Sequence, residues 1–211
     1  MATSVAFILT EARRLLRDTR VSAQRYTDDD YVAGLNAAQR AMVSILPESN
    51  IVTAVFQLQA GAKQTLPTDC VRLETVTRNM GLDGATPGPS VVAVTRSEMD
   101  AAEADWYNAD VDTEVVHFIK SDNDDEFYVY PPQPSTPHRV ELMYVQLPAN
   151  VTAVQTISVR DKYAGALPYY CASYLLGQDG ESEGAAGRAQ TFMGTFTALI
   201  GYVPGGENGG A

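Results

Sequence analysis

The sequence predicts an α+β fold, a helical bundle of N- and C-terminal helices with an inserted antiparallel β domain. Three observations predict it. Apolar residues recur at helical spacing near both ends. Between Ile51 and Gln146 the pattern changes to short alternating runs punctuated by Gly and Pro. After Pro148 the helical spacing returns. At about 150 residues per domain, 211 residues make one domain, or one with a sizeable insertion. An apolar content of 45% is enough to bury a core.

Each element has its own justification. Val5, Ile8, Leu9, Ala12, Leu15 and Leu16 form one stripe, with Glu11, Arg13, Arg14, Arg17 and Asp18 on the other face. The pattern breaks from Val21 to Tyr26. Thr27 then reads as an N-cap, followed by Asp28, Asp29 and Asp30 where the helix dipole favours negative charge. Tyr31, Leu35, Ala38, Met42 and Leu46 line this second helix, and Pro47 stops it. The two helices should pack as a hairpin. Ile51 to Leu58 alternates as a strand, with a turn at 59–62 and a return strand from Gln64 to Leu66. Val71 to Arg78 is a further strand, with Val71, Leu73 and Thr75 on one face. Gly81 to Ser90 is a loop, Val91 to Thr95 a strand, and Ser97 the cap of a short helix reaching Glu103. Strands over 113–120, 126–130 and 139–146 complete a small sandwich or barrel. From Ile157 a helix carries Tyr163, Leu167, Tyr170, Cys171, Tyr174 and Leu175 to Gly177. A last helix carries Ala185, Ala189, Phe192, Met193, Phe196 and Leu199. The expected organisation is 1–48 helical hairpin, 49–156 β insertion, 157–202 closing helices and 203–211 an extended tail.

Composition removes several function classes. The formal net charge is −11, which disfavours binding to nucleic acid by counterion release. No apolar run approaches the ~20 residues that span a bilayer, and residues 1–10 lack a basic segment ahead of an apolar one. Cys70 and Cys171 are the only cysteines, too few for a disulfide scaffold or a thiolate metal site, so a reducing, cytoplasmic folding compartment is expected. His117 and His138 accompany no nucleophile elbow, and no H-E-x-x-H or C-x-x-C occurs. The run from Asp122 to Glu126 lacks the spacing of a calcium loop and reads as a solvated turn. Gly61-Ala-Lys63 is no phosphate loop, and Asn150-Val-Thr152 is a chance sequon. No spacing selects a carboxylate pair for glycoside hydrolysis. No catalytic residue, metal ligand or cofactor is expected.

Four blocks, in order, carry a resemblance: Leu35-Asn36-Ala37-Ala38-Gln39-Arg40; Gln64-Thr-Leu66-Pro67-Thr-Asp69 with Val76-Thr-Arg78-Asn79-Met80-Gly81; Phe127-Tyr128-Val129-Tyr130-Pro131-Pro132 with Val140-Glu141-Leu142 and Tyr144; and Ile157, Asp161, Tyr163, Ala166-Leu167 and Tyr170. Together they resemble the head-to-tail adaptor proteins of tailed bacteriophages, the tail-tubular-protein-A-like group. The resemblance implies a structural virion protein of the neck, made in the host cytoplasm. It implies a ring, commonly of twelve copies, beneath the portal protein. Such a ring extends the DNA channel without specific DNA binding and docks the next tail or nozzle protein.

In that setting an acidic lumen would ease passage of phosphates. Phe196, Ile200, Tyr202, Val203 and Pro204 are expected to anchor the chain on the portal, with Gly205, Gly206, Glu207 and Asn208 following in an extended path. Arg13, Arg14 and Arg17, placed on the exposed face of the first helix, are expected at the subunit interface. Tyr169 and Tyr170 point about 100° apart on a helix, so one is expected in the core and one at the interface. Two other readings compete. One is a tail completion or stopper protein of the same neck; the other is a virion carbohydrate-binding or hydrolytic module, for which Trp106 is the only tryptophan available.

Overall fold

A computed structural model describes residues 2–178 and 184–201. The chain is α+β and divides into two compact units, Met1–Asn50 with Pro148–Ala211, and Ile51–Leu147.

The first unit is helical. α1 (Val5–Leu16) is capped by the Ser4 hydroxyl, which accepts from the Phe7 N–H, and it buries Val5, Ile8, Leu9 and Ala12. It ends at Arg17, whose positive φ of 57° lets its N–H bond the last carbonyls. α2 (Asp28–Ile45) begins at Thr27, as expected, and Asp30 completes a reciprocal capping box. Those bonds hold the Asp30 carboxyl below its ordinary range. The expected continuous helix from Ile157 is instead a 3-10 turn over Asp161–Ala166 followed by an α-helix starting at Leu167. Asp161 is occupied there as the acceptor for the Thr3 N–H at 2.6 Å.

Residues 148–156, read from sequence as part of the insertion, pack with the helices. Val5 N–H donates to Gln155 O at 2.9 Å, and Ile157 N–H to Thr3 O at 3.0 Å.

The second unit holds β1 (Ile51–Gln57), β2 (Gly61–Thr65), β3 (Cys70–Asn79), β4 (Val92–Ala93), α3 (Arg96–Ala102), β5 (His117–Lys120), β6 (Glu126–Gln133) and β7 (Arg139–Gln146). These form two sheets, β1-β7-β3 and β2-β6-β5-β4. Leu73, Val76 and Leu142 from the first share one core with Phe118, Phe127 and Val129 from the second. Burying each of the larger side chains contributes about 1.5–3 kcal/mol.

Four expectations are corrected here. The runs β1 and β2 do not pair as a hairpin; they join different sheets, β1 on β7 and β2 on β6. The short helix is capped by Thr95 with Glu98 rather than by Ser97. The strand expected from residue 113 begins at His117, and β4 joins β5 in parallel. Val71, Leu73 and Thr75 do not share a buried face. Val71, Glu74 and Thr77 are extra residues at three register shifts against β7. The inward positions of β3 therefore fall three apart, at Leu73, Val76 and Asn79, opposite Tyr144, Leu142 and Val140, which fall two apart.

In the helical unit, α4 (Leu167–Gln178) packs against α1, α2 and α5 (Ala185–Leu199), so it is apolar nearly all round.

Candidate functional site

The helical unit carries most of the residues that the sequence singled out for assembly. Its frame is set by the block at 35–40. Leu35 and Ala38 are fully buried on α2. Asn36 makes a reciprocal pair with Val151, donating through Nδ2 to the carbonyl at 3.1 Å and accepting the N–H on Oδ1 at 2.8 Å. One turn on, Gln39 Oε1 accepts the Ser158 N–H at 2.6 Å, and Arg40 donates to Asn150 Oδ1. Three polar residues of one helix thus hold the returning chain from 150 to 158.

The three arginines have different surroundings. Arg13 is not on an exposed face, and this corrects the expectation. Its side chain is only 13% exposed; it bonds Asp28, lies 3.6 Å from Asp18, and stacks 4.1 Å over the Tyr31 ring. Asp18 is itself buried and accepts from Arg25 N–H, Tyr26 N–H and the Tyr31 hydroxyl. Burial, reinforced by Asp18, raises the Tyr31 phenol. Arg14 is exposed and pairs with Glu11 at 2.6 Å. Arg17 is exposed, and with Arg188, Leu15, Leu16 and Phe192 it lines a surface cleft of about 440 Å³.

Tyr169 and Tyr170 do not divide into core and surface. Both are half-buried, and both reach α5: Tyr169 lies 6.3 Å from Phe192 and Tyr170 5.1 Å from Phe196. Phe192 and Phe196 are one turn apart, so each takes one tyrosine. Burial raises the Tyr170 phenol. Tyr169 also borders a groove of about 230 Å³ with Phe7, Glu11, Ala164 and Pro168. Phe196 and Ile200 are corrected more sharply. They are 0% and 6% exposed, so their side chains are core residues of this chain and not surface anchors. Tyr202, Val203, Pro204, Gly205, Gly206, Glu207 and Asn208 lie outside the described residues.

The residues weighed for chemistry are occupied structurally. His117 stacks on Tyr130 with ring centroids 6.2 Å apart. Burial pushes the Cys70 thiol up to about 11 and the Cys171 thiol up to about 12, so neither supplies a thiolate near neutral pH. The acidic run turns the chain between β5 and β6: Asn123 accepts from Asp125 and Glu126 N–H, and Glu126 pairs with Lys63 at 2.6 Å. Trp106 is 3% exposed and donates to Asp100 at 2.7 Å. Among the described residues no three His, Cys, Asp or Glu side chains gather as a metal site, and no helix is long and apolar enough to cross a membrane.

Sequence reasoning missed Asp18 and Asn79. Asp18 sits in a charged run and reads as solvated. Asn79 is buried, exchanges bonds with Val115 through both amide atoms, and also donates to Pro89 O. Its position in a quoted block was the only available signal.

The other quoted blocks are internal as well. Gln64 is fully buried and closes the 59–61 turn through three bonds to Gln59 and Gly61. Asp69 accepts from Gln146 at 2.7 Å. The blocks spread across both units, in the order that the resemblance requires. Comparison with known proteins extends this to nearly the whole chain. The family model described as SU10 adaptor protein matches residues 3–210. No curated protein matches the chain. With the four blocks and this match together, the chain belongs to the SU10 adaptor protein family, a family of phage head-to-tail adaptors.

Proposed function

We propose that this phage adaptor assembles as a ring, of twelve copies, under the portal protein, extends the DNA channel and docks the next tail protein. The observation that carries the reading is the family match over residues 3–210. The charge of −11 supports a lumen through which DNA slides without specific binding. In this reading the helical unit meets neighbouring copies through exposed side chains, Arg14 and Arg17 with Arg188 and the open edge of Tyr169. Arg13 instead holds α1 against α2 through Asp28 and Tyr31.

The portal contact falls to the segment from Tyr202 to Asn208. Phe196 and Ile200 act indirectly, by seating the helix from which that segment leaves. A symmetric ring multiplies a weak contact per copy into a stable one.

Native mass spectrometry of the protein mixed with its cognate portal ring tests the proposal. The expected product holds one adaptor copy per portal subunit, and deletion of residues 203–211 abolishes it without altering the fold. Absence of a complex with an intact portal refutes the portal contact. Full binding by the truncated chain refutes the role of the tail.

A further inference from the structure

The order β1-β7-β3 puts β1 at an edge of its sheet, and no strand among the described residues pairs with its outer side from Thr53 to Gln57. The hydrogen-bond parity says which groups face that side. Leu58 N–H donates to His138 O, while Arg139 N–H donates to Gly81 O on the opposite flank of β7. With the unbroken register Leu142–Ala54 and Val140–Phe56, the even-numbered residues of β1 bond β7. The N–H and C=O groups of Thr53, Val55 and Gln57 therefore point outward, at the edge.

Edges of this kind are normally blunted by charge, proline, bulges or shortness. The other edges here are. β3 has three register shifts and carries Arg72, Glu74 and Arg78; β4 has two residues; β2 has five and carries Lys63. β1 has seven residues, IVTAVFQ, with no charge, no proline and no register shift. Its inward side chains Val52, Ala54 and Phe56 pack on the core yet stay only partly buried, so the core's apolar flank is open beside this edge.

We propose that β1 is a docking edge that receives one extended strand from a different virion protein, the tail protein that the ring docks. This rests on the ring reading above. Backbone donors and acceptors alternating along an edge are matched by an extended polypeptide, and the flank beside Val52 and Phe56 requires that strand to be uncharged and apolar at every second residue. A second copy does not fit. Pairing β1 with β1 is two-fold and does not propagate round a ring, and among the described residues no other edge offers a long, regular, uncharged strand. The segment 203–211, with four Gly and one Pro, is a poor strand former.

The test compares amide exchange in the free protein with exchange in connectors released from virions. In the free protein Ala54 and Phe56 exchange slowly and Thr53, Val55 and Gln57 fast. In the connector the three outward amides slow by about a hundredfold. A photo-crosslinking residue at 57 joins a different virion protein, and the joined peptide is an alternately apolar segment. Val55→Pro removes one outward N–H that the fold does not use, and Val55→Lys is the second variant should proline disturb the strand. Each leaves ring formation on the portal intact and lowers occupancy by the tail protein at least tenfold.

Unchanged exchange of the three amides, or a crosslink only to the portal or to another adaptor copy, overturns the docking edge while the portal complex stands. Absence of the chain from the connector overturns the ring reading itself.

Discussion

Replacing Asn36 by Ala separates a clamp from an interface. In the native chain its amide satisfies both backbone groups of Val151, at 3.1 and 2.8 Å, and Val151 is only 6% exposed. Each bond contributes about 1 kcal/mol net, and each buried group left without a partner costs about 1–3 kcal/mol. Some relaxation toward water brings the expected loss to about 2–3 kcal/mol. For a chain of this size that is a fall in Tm of about 5–10 °C.

The two units can be followed separately, since the single tryptophan, Trp106, lies in the β unit while most helix lies in the other. Urea unfolding read by ellipticity at the helical band should shift to lower denaturant, while Trp106 fluorescence moves less. Asn36→Asp keeps the acceptor for Val151 N–H but sets a second oxygen against Val151 O, so it should also destabilise. A change below about 0.5 kcal/mol, combined with loss of assembly, would refute the clamp and make the block a contact surface.

Three further outcomes follow from the same structure. A Cβ on Gly34 would sit 2.9 Å from Cys171 Sγ, so Gly34→Ala should destabilise by about 0–2 kcal/mol. Overpacking there exceeds the helix-propensity gain of about 1 kcal/mol. In a Cys171→Ala background the sign should reverse, and a thermal double-mutant cycle measures this. At alkaline pH the folded state holds the Cys171 proton more tightly than the unfolded chain, whose thiol has the ordinary value near 9. Stability is therefore fully present below pH 9 and falls as pH rises toward about 12; Cys171→Ala should flatten that decline in urea titrations. Finally, Ile51 and Val145 face each other on neighbouring strands, so the β unit leaves and re-enters the chain at one place. Joining Asn50 to Pro148 through about four Gly and Ser residues should leave a cooperatively melting helical unit, and non-cooperative loss of ellipticity would contradict that.

Helix existence was legible because burial follows spacing. Val5, Ile8, Leu9 and Ala12 are buried as their stripe requires, and Thr27 caps as its position before three aspartates suggests. Strand existence was legible too, with β7 found over the full Arg139–Gln146. Strand partners were not. A two-residue period says which face a strand buries but not which sheet it joins, so the turn after Gln57 looked like a hairpin although it crosses between sheets. Insertions such as Val71, Glu74 and Thr77 then break the period itself. At the candidate site, the angle of about 100° between Tyr169 and Tyr170 on a helix suggested one core and one surface ring, but both are half-buried and both rings reach α5. Arg13 looked solvated because its partners Asp28 and Tyr31 belong to the next helix.

The residues that made the family recognisable are those that hold the fold. Leu35 and Ala38 fill the core, Asn36 and Gln39 clamp the returning chain, Gln64 closes a turn, and Asn79 ties a loop to Val115. These demands come from inside one chain, and they are the same whatever the adaptor meets. In the proposed ring, the demands of portal, neighbour and tail protein would fall elsewhere, on Arg17 and Arg188, on the open side of Tyr169 and on the edge of β1. Those positions lie outside the blocks that carry the resemblance, and their exposed side chains bear less of the fold. Substitutions at the clamp should therefore register first in stability and those at the edge first in assembly; a Val55→Lys chain that melts normally yet fails to take its tail protein would separate the two sets.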